Sequence, residues 1–123
     1  MEIDLSLAGK RVFIVEDEAL ILFTLQDLLE DMGCEVVASA QRISEALAMA
    51  DTLAVDVAIL DVNVAGERVD AVADLLATRG VPFIFATGYG QSSLPEQHGH
   101  RVFMPKPYRR ADLRVALAAA LMS

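Results

Sequence analysis

Five side chains in this sequence carry a shared chemistry: Glu16, Asp17, Asp61, Thr87 and Lys106. Each stands at or just after the end of a short apolar run: Val12–Val15, Val55–Leu60, Val81–Ala86 and Arg101–Met104. If those runs are strands of one parallel sheet, three carboxylates, a hydroxyl and an ammonium meet in one crevice. Three carboxylates brought together repel one another and resist ionising. A divalent cation removes that conflict. Mg²⁺ suits the set, being hard and oxygen-seeking and content with one or two carboxylates beside waters and phosphate oxygens. An Asp held beside a metal ion and a lysine can act as a nucleophile and carry an aspartyl phosphate. The metal and the lysine then neutralise charge on the transferring phosphoryl oxygens. Thr87 adds a hydroxyl donor, and Gly88 after it leaves room for a close backbone approach.

Alone, each residue also has an ordinary reading. Glu16-Asp17 suits a helix N-terminus, where the macrodipole favours acids. Asp61 and Thr87 could be a turn residue and a helix cap. Lys106 lies between Pro105 and Pro107, which restrict the backbone around it. Pro-x-Pro also occurs in plain loops. Only the convergence of all five at strand ends selects the chemical reading.

The elements that would position them alternate along the chain. Val12–Val15 reads as a first strand. Ala19–Met32 has helical periodicity, with Leu22, Leu25, Leu28, Leu29 and Met32 on one face and Gly33 as the stop. Glu35–Ser39 is a second strand. Ser44 is placed to cap a helix through about Ala50, with Glu45 in its first turn. Val55–Leu60 is the third strand, followed by a turn containing Gly66 and a helix over about Val69–Ala77. Val81–Ala86 is the fourth strand and Arg101–Met104 the fifth. Arg110–Leu121 is the last helix, with Leu113, Leu117, Ala120 and Leu121 inside. Strands alternating with helices imply a doubly wound α/β fold with a five-stranded parallel sheet. The nearly continuous apolar character of the strands fits a sheet covered on both faces. Such sheets place their sites in the crevice at the carboxyl ends of the strands.

Composition narrows the function. The 123 residues, 54% hydrophobic, suit one domain over 1–123. Cys34 is the only cysteine, which excludes an intramolecular disulfide and a multi-cysteine zinc site. Eighteen acids against ten Lys and Arg give a net charge of -8. Phosphates would be repelled, so neither nucleic acid nor an anionic membrane is the expected partner. Glu2 and Asp4 stand where a secretory signal would carry basic residues. No apolar run approaches the ~20 residues of a membrane span. A cytoplasmic protein is expected.

At this point the sequence resembles a response-regulator receiver domain, the phosphoacceptor module of two-component signalling. The resemblance runs from Arg11 to about Leu121. It rests on Glu16-Asp17, Asp61, Thr87 and Lys106-Pro107, in that order at successive strand ends. It implies a flavodoxin-like fold with strand order 2-1-3-4-5. It also implies that Asp61 is the phosphoacceptor and that Mg²⁺ is held by Asp17, Asp61, the backbone carbonyl of Asn63 and, largely through water, Glu16. Thr87 and Lys106 resemble the residues that bind phosphoryl oxygens. Phe103 matches the aromatic position that moves inward as the Thr follows the phosphoryl group. The stretch Pro82-Phe-Ile-Phe-Ala-Thr-Gly-Tyr89 is similar to the signature of the FATGUY subgroup, mostly single-domain alphaproteobacterial receivers. That similarity implies histidine kinases of the HWE or HisKA2 type, or a phosphotransfer protein, as phosphodonor.

The sequence departs from the family at two places. The Met-Pro pair found after the phosphoacceptor of many receivers is replaced in Asp61-Val-Asn-Val-Ala-Gly66. Gly88, Gly90 and Pro95 oppose a long fourth helix, so the segment Gly88–Gly99 is expected to be short, irregular or mobile. His98 and His100 in this segment read as surface histidines. Tyr89 and Tyr108 flank the site as gating, partner-contact or half-buried aromatics, and Arg109-Arg110 as a solvated basic pair. The expected role is a signalling module and not an enzyme, its own chemistry limited to self-phosphorylation from donors and autodephosphorylation. With the last helix running to about Leu121, a single receiver domain without an output domain is expected. Two other functions fit the same residues less well. One is a phosphorylation-independent binding module on this fold. The other is a Mg²⁺-dependent haloacid-dehalogenase-type phosphohydrolase, for which Asn63 stands where a second Asp normally serves as general acid.

Overall fold

The computed structural model describes residues 7–122, so Glu2 and Asp4 of the N-terminal stretch lie outside it. Successive residues of a strand point to opposite faces, and here both faces are apolar. In β1 (Arg11–Val15), Val12 and Ile14 enter one core while Phe13 and Val15 enter the other. The same split runs through β3 (Val57–Asp61), where Val57 and Ile59 face one way and Ala58 and Leu60 the other. It recurs in β6 (Phe83–Thr87), with Ile84 and Ala86 opposite Phe83 and Phe85. Covering both faces needs helices on both sides. Helices α1 (Ala19–Asp31) and α4 (Arg110–Met122) close the first face, and α2 (Ile43–Thr52) and α3 (Asp70–Thr78) close the second. With β2 (Glu35–Ala40) and β7 (Phe103–Pro105) on the edges, the sheet runs β2-β1-β3-β6-β7, all parallel. Counted among the five sheet strands, this is the expected order 2-1-3-4-5.

Local details correct the expected boundaries. Helix α2 begins after Arg42, with no side-chain cap at its start, so Ser44 lies inside the helix rather than capping it. The fifth strand pairs over Phe103–Pro105 instead of Arg101–Met104. The Arg101 N–H instead closes a turn on the His98 carbonyl at 3.0 Å, and its guanidinium lies over the Phe83 ring, 4.5 Å from the centroid. In α4 the inner stripe is Leu113, Ala116, Leu117 and Ala120, while Leu121 is only partly buried.

The turn around Gly66 is a small hairpin, β4 (Asn63–Val64) against β5 (Glu67–Arg68). Its two loop residues, Ala65 and Gly66, both have positive φ, at 51° and 83°. Two-residue hairpin loops with positive φ favour Asn-Gly, because an alanine there is strained by its Cβ. Ala65→Asn is therefore expected to stabilise the protein by roughly 0.5–1 kcal/mol, read as a rise in urea midpoint at unchanged m-value.

Between β6 and β7 no fourth helix of ordinary length forms. Two three-residue 3₁₀ turns, Gln91–Ser93 and Glu96–His98, take its place. Gly90 sets up the first with φ 80° and ψ -174°, a region open essentially to glycine alone. Pro95 separates the two turns. His98 is not a surface residue: it is 5% exposed, while His100 is exposed as expected. Burial of His98 is possible because its Nε2 lies 2.8 Å from Asp74 Oδ1 on α3, and its ring packs edge-on against Phe83 at 5.4 Å. Gln97 also donates to Asp74 Oδ1, at 3.0 Å. These hydrogen bonds, Gln97 first and then His98, hold the Asp74 carboxyl below its ordinary pKa. A polar pin thus ties the second turn to α3. Cys34 is buried, its thiol 3.6 Å from the Leu7 carbonyl, which suits a packing role.

Candidate functional site

Because the strands are parallel, their carboxyl ends share one edge of the sheet. There β1 delivers Glu16 and Asp17, β3 delivers Asp61, β6 delivers Thr87 and the chain leaving β7 delivers Lys106. One carboxylate oxygen from each of Glu16, Asp17 and Asp61 lies within 4.8 Å of the others. Lys106 bridges two of them: its Nζ donates to Glu16 Oε1 at 2.9 Å and to Asp61 Oδ2 at 3.0 Å. Its backbone N–H donates to the Thr87 carbonyl at 2.8 Å, fixing the lysine to the end of β6. A cleft of about 480 Å³ opens over Asp17, Asp61, Asn63, Thr87, Gly88 and Lys106. Glu16 lies beneath it, 3% exposed.

The burial of Glu16 has a consequence for its charge. Burial pushes its carboxyl up from 4.5 to about 7, helped by the nearby Asp61 charge and opposed by hydrogen bonds from Lys106 and the Glu18 N–H. Burial also disfavours the Lys106 charge, but the hydrogen bonds to Glu16 and Asp61 outweigh it, so the ammonium stands above its ordinary pKa. Lys106 is a cation at any physiological pH. The cluster therefore holds three carboxyl groups, with Glu16 ready to keep a proton near neutrality, against one firm positive charge. All three offer hard oxygen donors, the chemistry that Mg²⁺ takes. Asp17 accepts the Ala65 N–H at 3.0 Å, so the β4–β5 hairpin orients it.

The remaining candidates sit as follows. Asn63 is exposed at the start of the hairpin and lines the cleft, and its N–H makes a long contact of 3.4 Å to Asp61 Oδ1. Tyr89 lines the cleft and is 80% exposed. Tyr108 packs against the α1–α4 core. Burial, with the Glu16 charge adding to it, pushes its hydroxyl to about 12. Phe103 is not brought to the cleft. It is partly buried on β7, opposite Phe85, and packs against the other core. Arg109 is solvated as expected, but Arg110 reaches Asp31 on α1 at 3.4 Å.

Ser93 is a site residue to which no spacing in the sequence points. It sits at the end of the first 3₁₀ turn, with its Oγ 2.8 Å from Thr87 Oγ1. Its carbonyl accepts from Arg68 Nη2 at 3.1 Å. The Gly90 backbone brings it there, and a backbone conformation leaves no side-chain pattern to read.

This fold and this acidic cleft define a class, and comparison with known proteins agrees. The chain belongs to the response regulator receiver domain family, whose model matches residues 12–118. Proteins of this family serve two-component signalling. The chain is similar to SdrG from Sphingomonas melonis Fr1: 38% identical, TM-score 0.82, with 94% of this chain and 98% of that one covered. SdrG in its BeF3-activated conformation gives a TM-score of 0.78, at 93% and 98% coverage. The response regulator PhyR from Brucella abortus is 29% identical with a TM-score of 0.80, over 94% of this chain and 49% of that one. Among curated relatives, the transcriptional regulatory protein PdtaR of Mycobacterium tuberculosis is 32% identical over 116 residues, covering 91% of this chain and 57% of that protein. The chain thus spans about half the length of the curated relatives it matches. Among the described residues, no helix is long and apolar enough to cross a membrane.

Proposed function

We propose that this receiver domain accepts a phosphoryl group on Asp61 in a Mg²⁺-dependent reaction, and that the modified domain changes conformation to regulate a protein partner or pass the group on. The observation that carries the reading is the Lys106 ammonium bridging Asp61 and Glu16 beside Asp17, at the mouth of a cleft that Thr87 also lines. An Asp61 carboxylate oxygen attacks the phosphorus of a phosphohistidine. The new P–O bond forms as the P–N bond breaks, and its electron pair leaves on the donor's imidazole. Lys106 meets the charge on the transferring oxygens. Thr87 supplies a hydroxyl donor to them. Held by Asp17, Asp61, the Asn63 carbonyl and Glu16, Mg²⁺ would neutralise both the carboxylates and the phosphoryl oxygens. A relative, SdrG, has a BeF3-activated conformation, and the same type of activation is proposed for this chain. The octapeptide Pro82–Tyr89 supports a kinase of the HWE or HisKA2 type as donor. Phe103 would respond to movement of Thr87 from its place on the edge strand, and Tyr89, 80% exposed, is the aromatic offered to a partner.

Intact mass after incubation with acetyl phosphate tests this. One added phosphoryl group is expected in wild type with Mg²⁺, and none with chelator or in Asp61→Asn. A wild type that gains no adduct and shows no Mg²⁺-dependent spectral change with beryllofluoride would instead be a binding module that does not use this chemistry.

A further inference from the structure

The Thr87 hydroxyl is already committed. It lies 2.8 Å from Ser93 Oγ, and on that distance alone either hydroxyl could donate. A second contact decides between them. Ser93 Oγ lies 2.7 Å from the Gly90 carbonyl oxygen. A carbonyl only accepts and a serine has a single hydroxyl proton, so the Ser93 proton goes to Gly90. The proton between the two hydroxyls therefore comes from Thr87. Thr87 Oγ1 also accepts the Tyr89 N–H at 3.1 Å. Thr87 has no proton left for a phosphoryl oxygen until it gives up Ser93.

We propose that Ser93 is a positioning residue that competes with the phosphoryl group for the single proton of Thr87, so that phosphorylation detaches the Gly90–Ser93 turn from the sheet. This rests on the reading of Asp61 as phosphoacceptor and deepens it. The turn is built for such a role. Ser93 closes it twice on Gly90, through its N–H at 3.1 Å and its hydroxyl. Its remaining tie outside the turn and Thr87 is the bond from Arg68, whose guanidinium is also held by Asp70 at 3.0 Å. Loss of the Thr87 bond leaves the turn held by Arg68 and by the Gln91 side-chain amide, which donates to the Gly99 carbonyl at 2.8 Å, while Leu94 stays in the core and the His98–Asp74 pin keeps the far end of the segment on α3. Coupling of this kind is reciprocal. If the phosphoryl group weakens the hold of Thr87 on Ser93, then removing Ser93's hydroxyl favours the phosphoryl-bound state.

Beryllofluoride affinity in Mg²⁺, measured by calorimetry, reads this directly. Ser93→Ala is expected to bind ~2- to 10-fold tighter than wild type, the worth of one net hydrogen bond. Ser93→Thr, which keeps the hydroxyl, is expected to return toward wild type. In a Thr87→Val background, Ser93→Ala should change nothing. Amide hydrogen exchange supplies a second readout. In wild type, Ser93 and Leu94 N–H exchange faster on adding beryllofluoride, while in Ser93→Ala they are fast without it. Unchanged or weaker binding by Ser93→Ala, or equal tightening with and without the Thr87 hydroxyl, would overturn the proposal. A wild type that binds no beryllofluoride in Mg²⁺ would overturn the phosphoacceptor reading itself, a result distinct from normal binding without a Ser93 effect.

Discussion

Replacing Lys106 with methionine is expected to destabilise the metal-free protein by about 2–4 kcal/mol at pH 8, and Mg²⁺ is expected to restore most of the loss. The Lys106 ammonium donates to Glu16 at 2.9 Å and to Asp61 at 3.0 Å, and their side chains are 3% and 13% exposed. Methionine keeps the apolar stem and removes the charge. A buried Glu16 and a partly buried Asp61 then face each other, with Asp17 close by, and no cation compensates them. Breaking a buried pair by removing one partner costs ~3–5 kcal/mol, reduced here because the lysine side chain itself is 20% exposed. Glu16 limits the cost in acid, because its pKa of about 7 leaves it ready to take up a proton. The deficit should accordingly shrink between pH 8 and pH 6. The same substitution removes the cation that competes with Mg²⁺ for Glu16 and Asp61, so metal binding should tighten even as phosphoryl transfer is lost. Urea unfolding at both pH values, with and without Mg²⁺, checks this. A deficit indifferent to pH and to Mg²⁺ would mean that Lys106 contributes only the packing of its stem.

The site was legible where chemistry falls on strand ends. A carboxylate or lysine that abruptly ends an apolar run has a position that topology alone predicts, and Glu16, Asp17, Asp61, Thr87 and Lys106 converge on the cleft edge. The sheet was legible for a related reason: apolar residues on both faces of β1, β3 and β6 require cover on both sides. What escaped depends on long-range pairing. His98 looks solvated in sequence because its partner, Asp74, lies 24 residues earlier on another element. The Asn63–Arg68 hairpin is too short to show alternation, and Ala65-Gly66 lacks the Asn that usually announces such a turn. Arg101 has a strand's place in the sequence, yet it stacks on Phe83 before the pairing begins. Phe103 has the predicted residue type on the predicted edge strand, with its ring partly buried against the core beside β7 and away from the cleft.

Mg²⁺ affinity is expected to rise with pH, by up to ~10-fold per unit below pH 7, and to level off above it. Burial first, and the Asp61 charge with it, raise the Glu16 carboxyl from 4.5 to about 7 against the pull of Lys106 and the Glu18 N–H. Between those two values the folded protein holds a proton that the unfolded chain releases. The stability this contributes is fully present below pH 4.5 and is lost as pH rises through 7. The metal requires the carboxylate free of that proton, so binding expels it and the affinity follows its release. Lys106 contributes no slope in this range, because its pKa is shifted upward and the ammonium stays charged. Mg²⁺ thus offsets the electrostatic cost that deprotonation of Glu16 imposes on the apo-protein. The metal-dependent gain in stability should be largest above pH 7, where the apo-protein has lost its proton. Calorimetric titration from pH 5.5 to 8.5 measures the profile, and Glu16→Gln, which keeps the shape but cannot ionise, should flatten it. A flat wild-type profile, or an equal slope in Glu16→Gln, would show that another group governs the metal. The device would then lie outside the Glu16–Lys106–Asp61 triad.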